Sequence, residues 1–459
     1  MSKKRYLFWL KVLILLSPLP FGCVGRMWSS IFYLLILIFS ALTLGQKRSQ
    51  ITFLYEMWFK LFIALFFAFA VFQLVPLPRF LLRLISPNTL SILDQLKDVP
   101  VAFHPISVLP FETLGFVLRL FVLAFLFFRL LTLDLNKWEI YSVFNTMVAA
   151  ACFQVLIGLI KLLQGDTNFF IFFLKQKLSY GKTALVGTIA NPGHFSFYLE
   201  LVLPLAVGML LVRSQFLVPG ASMEEVRQGP MLSKKTLLLT LTALLLIGGG
   251  ILLSGSRTGL VALAVIFFLF VDGVIYLKIR FTLKRKLKGI FLLAALLVVL
   301  MGLQYGRASF IDPNTGQSLG FFPKGNVLEL FSDFPIFGTG FATFRYIYFL
   351  YDTGNGGWLT HTHNEYLEYL AEGGIVGAAL FFFILGLLLF YLLRMWWLRH
   401  NREVKAVVLA VLVSGTAAVL HSFFDFALRI PANGFLLTVI AALGIQMVNY
   451  RRRTVSHDQ

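Results

Sequence analysis

Apolar runs long enough to cross hydrocarbon recur along nearly the whole chain, and that recurrence leaves few folds open. A helix needs about 18–20 apolar residues to span a bilayer, because each residue rises about 1.5 Å through a core about 30 Å thick. Inside that core every backbone amide must be satisfied by the protein itself, which restricts the choice to helices or a closed barrel. A barrel would show alternating segments of roughly ten residues, and none are seen here. Of the 459 residues, 58% are hydrophobic, 13% are charged and 50 are phenylalanine. A soluble domain of this size lacks the polar surface to cover them. The expectation is an all-α polytopic membrane protein.

The runs fall at 6–24, 28–45, 55–76, 113–132, 141–163, 194–212, 236–254, 258–277, 289–305, 373–393, 405–425 and 430–449, giving about twelve crossings. The formal charge of +19 suggests nucleic acid, but the basic residues sit at the ends of the runs rather than among aromatics on a soluble surface. Alternate connectors hold them: Lys3/Lys4/Arg5, Lys47/Arg48, Arg129/Lys137, Arg213 to Lys235, Lys278 to Lys288, Arg394 to Lys405 and Arg451/Arg452/Arg453. The positive-inside rule then puts both termini in the cytoplasm. Lys3-Lys4-Arg5 and the apolar stretch up to Cys23 resemble a signal peptide, but no small-residue cleavage site follows, so the segment reads as a retained first span. Cys23 and Cys152 both fall in spans and support neither a disulfide framework nor a metal site.

Three connectors on the outer side are long enough to fold: 77–112, 164–193 and 306–372. The first, rich in proline and apolar pairs, reads as an interfacial lid. No internal repeat appears, and residues 1–459 read as a single membrane domain whose function faces outward. Phosphate-loop, dinucleotide-binding and HExxH patterns are absent, which removes the usual sequence support for ATP use, hydride transfer and zinc proteolysis.

Polar residues gather in a few places. Gly187-Thr-Ile-Ala-Asn191-Pro192-Gly193-His194-Phe-Ser196-Phe-Tyr198-Leu-Glu200 is a turn leading into a helix; Asn191 and His194 read either as loop and interfacial residues or as contacts to an anionic headgroup. Ser254-Gly255-Ser256-Arg257 is a turn so short that the flanking spans must form a tight hairpin. Arg257 stands there against the positive-inside preference, as a snorkelling arginine or as an anion-binding fork. His361-Thr-His363-Asn364-Glu365 opens a polar run in which Asn364 suits an N-cap and Glu365 and Glu368 suit a first turn. Those roles leave His361 and His363 unexplained, and a histidine at a helix start suits general-base work on a hydroxyl. His421, Asp425 and Arg429 recur every four residues and share one face if the helix runs that far, as a structural ion-pair network or as substrate contacts. Asp333-Phe-Pro335-Ile-Phe-Gly338-Thr-Gly340 reads as a helix stop followed by a glycine turn that shapes the loop.

Taken together, these blocks resemble the O-antigen ligase and O-antigen polymerase superfamily of bacterial envelope glycosyltransferases. The resemblance rests on Gly187 to Phe195, Ser254 to Arg257, Asp333 to Gly340, and His363-Asn364 followed by nine residues to Gly374 and two more to Gly377. His421 to Phe426 and Arg429 to Asn433 are similar to a C-terminal block of several members, so the resemblance covers roughly 185–435. It implies a fold of the integral-membrane glycosyltransferase (GT-C-like) type, with a large periplasmic loop at 306–372 over a lateral cavity in the bacterial inner membrane. It also implies transfer of a glycan from undecaprenyl diphosphate to a hydroxyl on lipid A core or on a growing glycan, without nucleotide sugar, metal or other cofactor. By the same resemblance Arg257 engages the donor diphosphate and His363 activates the acceptor. Two departures stand out. The family's second arginine before the Asp-Phe-Pro block is missing, with Lys324 or Arg307 the candidates to substitute, although lysine lacks the bidentate fork. Gly193 also replaces a second asparagine.

The chemistry expected is one direct displacement at the anomeric carbon, with inversion. His363 draws the acceptor proton while Arg257, with a second cation such as Lys324, stabilises the departing diphosphate. His194, Asn191, His361, Asn364, His421, Asp425 and Arg429 are the further candidates for substrate contact. A transporter or flippase of an anionic lipid or solute is the competing class, but it generally brings internal repeats and helices broken at mid-membrane. A structural subunit of an envelope assembly would leave His363 and Arg257 dispensable.

Overall fold

The computed structural model describes residues 3–46, 56–96, 102–164, 184–213, 234–276, 327–351 and 360–449. Helices dominate: α1 (Lys3–Leu16), α2 (Arg26–Leu42), α3 (Glu56–Phe72), α4 (Arg79–Ile85), α5 (Pro87–Leu96), α6 (Pro110–Thr132), α7 (Lys137–Gln164), α8 (Pro192–Arg213), α9 (Lys234–Leu253), α10 (Arg257–Tyr276), α11 (Val327–Asp333), α12 (Phe344–Ile347), α13 (Glu365–Leu398), α14 (Arg402–His421) and α15 (Pro431–Asn449). Proline stands at the first position of α5, α6, α8 and α15, where its missing N–H costs nothing and its fixed φ suits a helix start.

Among the described residues seven helices are long and apolar enough to cross a membrane: α6, α7, α8, α9, α13, α14 and α15. The chain is therefore a multi-pass membrane protein, with fewer candidate spans than the twelve runs suggest. The expected first span is interrupted: α1 is 14 residues long and gives way to a turn in which Phe21, Gly22 and Cys23 all have positive φ. α2 and α3 are apolar but 17 residues each, and the run at 289–305 lies outside the described residues.

α8, α14 and α15 form the buried centre, while α9 and α13 leave most of their surface uncovered. Close approach in this centre depends on small residues. A Cβ on Gly208 of α8 would come within 2.6 Å of the Ala410 Cβ on α14, and one on Gly444 of α15 would meet Val411 at the same distance. Packing of this kind drives helix association where lipid is as apolar as the side chains. Ser414 of α14 adds an interhelical bond, its Oγ donating to Leu201 O at 2.8 Å.

The connector 77–112 folds into α4, α5 and the antiparallel pair β1 (Leu77–Pro78) and β2 (Phe103–His104), with Leu77 opposite His104. Leu77, Leu82, Leu90, Leu93 and Ile106 pack beneath it. Ser107 N donates to Gln73 O at 2.9 Å and Val108 N to Thr339 O at 2.9 Å, so this unit is bonded to the stretch that follows α11.

That stretch is built against a break in α13. Gly374 takes φ 60°, ψ −169° inside the helix, which frees backbone groups on both sides of it. Ile375 N donates to Pro335 O at 2.8 Å, Thr339 N to Ala371 O at 3.1 Å and Gly340 N to Glu372 O at 2.9 Å. The Gln73 amide donates to Phe337 O at 2.7 Å and to Glu372 O at 3.0 Å. A Cβ on Gly374 would stand 2.2 Å from Ile336 O, and one on Gly338 (φ 69°) 2.2 Å from Glu372 O. Only glycine lets the two backbones meet. Asp333 to Gly340 therefore does more than shape a loop, because it satisfies the backbone that the kink exposes.

Candidate active site

The start of α13 is set by local hydrogen bonds that leave His363 in an unusual backbone state. Asn364 caps the helix, its Oδ1 accepting from Leu367 N at 3.1 Å. Thr362 Oγ1 accepts from Asn364 N at 3.0 Å, and Thr362 N donates to Glu368 Oε2 at 3.0 Å. Glu365 N donates to Ser422 O at 2.9 Å, docking the segment on the end of α14. Between these anchors His363 takes φ 52°, a left-handed conformation that histidine tolerates better than most side chains. Its ring is 57% exposed, and Nδ1 lies 3.6 Å from Asp425 Oδ1.

Asp425 is buried and gathers two more imidazoles. His194 Nε2 is 3.5 Å from Oδ1 and His421 Nε2 is 3.6 Å from Oδ2. Burial pushes this carboxyl up, but the three histidines outweigh burial and hold it well below the usual carboxylate range. Behind it, His421 Nδ1 is 2.9 Å from Glu200 Oε2, both groups fully enclosed, and Ser196 Oγ donates to Glu200 Oε1 at 2.7 Å. A continuous line of polar groups thus runs from exposed His363 through Asp425 and His421 to Glu200 within α8. Phe426 packs among the rings, with centroids 4.0 Å from His361, 4.6 Å from His194 and 5.2 Å from His363. Gly193 lies against the carboxylate, where a Cβ would be 2.4 Å from Asp425 Oδ2.

Arg429 belongs to a second cluster. Its guanidinium reaches Glu365 Oε2 at 3.3 Å, Glu368 Oε1 at 3.1 Å and Glu372 Oε2 at 2.9 Å, three buried carboxylates on successive turns of α13. Burial works against its charge, but the three carboxylates more than offset this and push its pKa further up. His361 Nδ1 lies 2.7 Å from Glu368 Oε1, so the two clusters meet at His361 and Phe426. A buried cation with three acidic partners fixes the start of α13 relative to the segment before α15, although such pairs are weak evidence of net stability.

Arg257 opens α10 after a turn at Gly255 (φ 71°). Ser256 caps that helix, its Oγ accepting from Gly259 N at 3.1 Å. The first turn of α10 packs closely on α8, since a Cβ on Gly259 would be 2.0 Å from Ser196 Oγ and 3.2 Å from Glu200 Oε1. Arg257 therefore rises beside the same α8 segment that carries His194 and Glu200.

Of the residues singled out from sequence, His194, His363 and His421 converge on Asp425, and His194, His361 and His363 pack on Phe426. Asn191 and Asn364 serve local backbone: Asn191 Oδ1 accepts from Gly193 N at 2.7 Å and His194 N at 3.3 Å. Lys324 and Arg307 lie outside the described residues. Two expectations need correction. α14 ends at His421, so Asp425 folds back from a turn and Arg429 parts from the pair into a 3₁₀ segment, Ala427–Arg429. Glu365 and Glu368, expected to serve the helix start, are buried partners of Arg429 together with Glu372. Sequence reasoning gave no role to Glu200 or Phe426. An acid inside an apolar run was the available signal for Glu200, because such a residue is costly unless it has a partner.

Chemically, the exposed imidazole has one nitrogen turned to a carboxylate and the other turned away. A carboxylate in that position orients an imidazole for proton transfer with a hydroxyl. No curated protein matches this chain in sequence. Residues 242–382, from within α9 to beyond the α13 kink, match the family model described as O-antigen ligase. Over that stretch, under half of the chain, the protein is similar to the O-antigen ligase family.

Proposed function

We propose that this protein is an O-antigen ligase-like glycosyltransferase of the bacterial inner membrane. It moves a glycan from undecaprenyl diphosphate to an acceptor hydroxyl, on lipid A core or on a second repeat-unit chain, at the periplasmic face. The observation that carries this reading is the position of His363: it is the exposed member of a histidine cluster, with Nδ1 facing buried Asp425. Nε2 then takes the proton of the attacking hydroxyl as the new glycosidic bond forms at the anomeric carbon. The bond to the lipid diphosphate breaks in the same step, and Arg257 stabilises the charge left on that leaving group. A single displacement of this kind inverts the anomeric configuration. Positioning supplies most of the acceleration, because a diphosphate is already a good leaving group.

The test is transfer by purified protein from a labelled lipid-diphosphate glycan, offered either lipid A core or a second donor as acceptor. His363→Ala and Arg257→Ala should each remove transfer while leaving the protein folded. Wild-type transfer by both variants would overturn the reading. The acceptor used separates ligase from polymerase.

A further inference from the structure

α6 carries a cation that the proposed mechanism does not use. Arg119 lies nine residues into this candidate span, about 13 Å along the helix from its start. Among the described residues it has no hydrogen-bond or ion-pair partner, while nearby charges do. Glu112, the acid two turns earlier, is already shared: Arg26 Nη2 stands 3.0 Å from its Oε1, Arg345 Nη2 3.7 Å, and the Tyr346 hydroxyl donates to it at 2.7 Å. Tyr33, Glu112, Arg345 and Arg429 are the charged or titratable groups within electrostatic reach of Arg119. Arg26 and Arg345 thus share one carboxylate while Arg119 stands within electrostatic reach of it, leaving an excess of positive charge at this corner.

The corner is partly exposed as well as positive. Arg119 folds back toward the start of α6, its Nη1 4.0 Å from where a Cβ on Gly115 would sit, with no atom of another described element nearer. Beside it, Phe111, Leu114, Leu118 and Phe121 form an exposed apolar stripe along α6. An unpartnered guanidinium at membrane depth is costly unless an anion offsets it, and its planar fork matches phosphate oxygens. The apolar stripe gives a lipid tail a surface to lie on while its headgroup reaches the arginine. α6 packs chiefly on α15, α2 and α3, and α8, beside Arg257, chiefly on α14, α9 and α7, with α15 common to both.

We propose that Arg119, assisted by Arg345 and with Gly115 as its floor, binds the phosphate group of a membrane-embedded lipid. Whether that lipid is a substrate rests on the transferase reading; the phosphate chemistry does not. The experiment is binding to protein in nanodiscs, with undecaprenyl diphosphate, lipid A, phosphatidylglycerol and phosphate-free undecaprenol as separate probes. Arg119→Gln should weaken at least one phosphorylated probe about tenfold or more, the scale of a lost charge-assisted contact, and leave undecaprenol unchanged. Loss confined to undecaprenyl diphosphate assigns the donor, loss confined to lipid A the acceptor, and loss confined to phosphatidylglycerol a bulk lipid. Glu112→Gln keeps Arg119 and removes the one competing acid, so it should tighten the same probe, which decides the matter even if Arg119→Gln does not fold. Unchanged binding of every phosphorylated probe by either folded variant overturns the proposal. Arg119-dependent binding without glycan transfer would sink the transferase reading and leave this site standing, whereas transfer with unchanged binding would do the reverse.

Discussion

His363 Nδ1 sits 3.6 Å from Asp425 Oδ1, and that separation is set by a left-handed backbone at His363, φ 52°. The conformation turns the ring back over the end of α14 while the chain moves on into α13. Loss of a positioned general base typically costs about 10²–10⁴-fold in rate. His363→Ala should fall in that range, and Asp425→Asn should lower turnover with little change in acceptor KM, because it acts through the histidine. Steady-state kinetics on both variants separate the roles. Equal loss of acceptor affinity in both would make the pair a binding contact instead.

Gly193 permits the carboxylate to sit where it does, since a Cβ there would be 2.4 Å from Asp425 Oδ2. Gly193→Ala should therefore depress activity by displacing Asp425 while the protein still accumulates. Activity and abundance measured together check this, and full activity would show that the carboxylate can shift freely.

Asp425 also predicts a pH dependence. Burial raises its pKa, but the surrounding imidazoles hold it well below the carboxylate range. A depressed folded value contributes stability that is complete above the unfolded value of about 3.9 and is lost as pH falls through the folded one. The gap in thermal stability between wild type and Asp425→Asn should narrow as pH falls below about 4. A gap that widens below that pH would contradict this electrostatic account.

Arg429 is the shared partner of Glu365, Glu368 and Glu372. Removing one member of a buried pair costs about 3–5 kcal/mol, because the charge left behind is uncompensated. Arg429→Met should lower thermal stability in detergent by at least that much, and Arg429→Lys by less, since one ammonium cannot serve three acids as a planar fork does. Equal stability of the two variants would show that the clamp is not electrostatic.

The kink gives a paired comparison within one helix. Gly374→Ala forces a Cβ to 2.2 Å from Ile336 O with φ at +60°, while at Gly386 nothing lies within 4 Å. The first should destabilise by more than about 1–3 kcal/mol, the cost of a strained backbone alone. The second should be neutral or stabilising by about 1 kcal/mol, as for glycine to alanine in a helix interior. Melting curves for the two should separate clearly.

Apolar runs made the helical membrane class legible, because hydrocarbon imposes the same length on every span. Seven of the runs are matched by helices long enough to cross among the described residues, while Pro18, Pro20 and the positive-φ turn at Phe21 to Cys23 interrupt another that is continuous in hydropathy. His361 and His363 were legible because the helix-start roles of their neighbours leave them unexplained. Their partners were less so: Asp425 was placed on a helix that in fact stops at His421, and Glu365, Glu368 and Glu372 follow the pattern of an ordinary helix start. Only the return of Arg429 from another part of the chain shows what they do. Glu200 illustrates the same limit, because its partner His421 lies 221 residues away.

The most direct test offers the purified protein a labelled lipid-diphosphate glycan and lipid A core, and reads both product and anomeric configuration for wild type and His363→Ala. Inverted product from wild type, with a loss of about 10²-fold or more in His363→Ala, is the predicted result. Product formed at the wild-type rate by His363→Ala, or product with retained configuration, would contradict it.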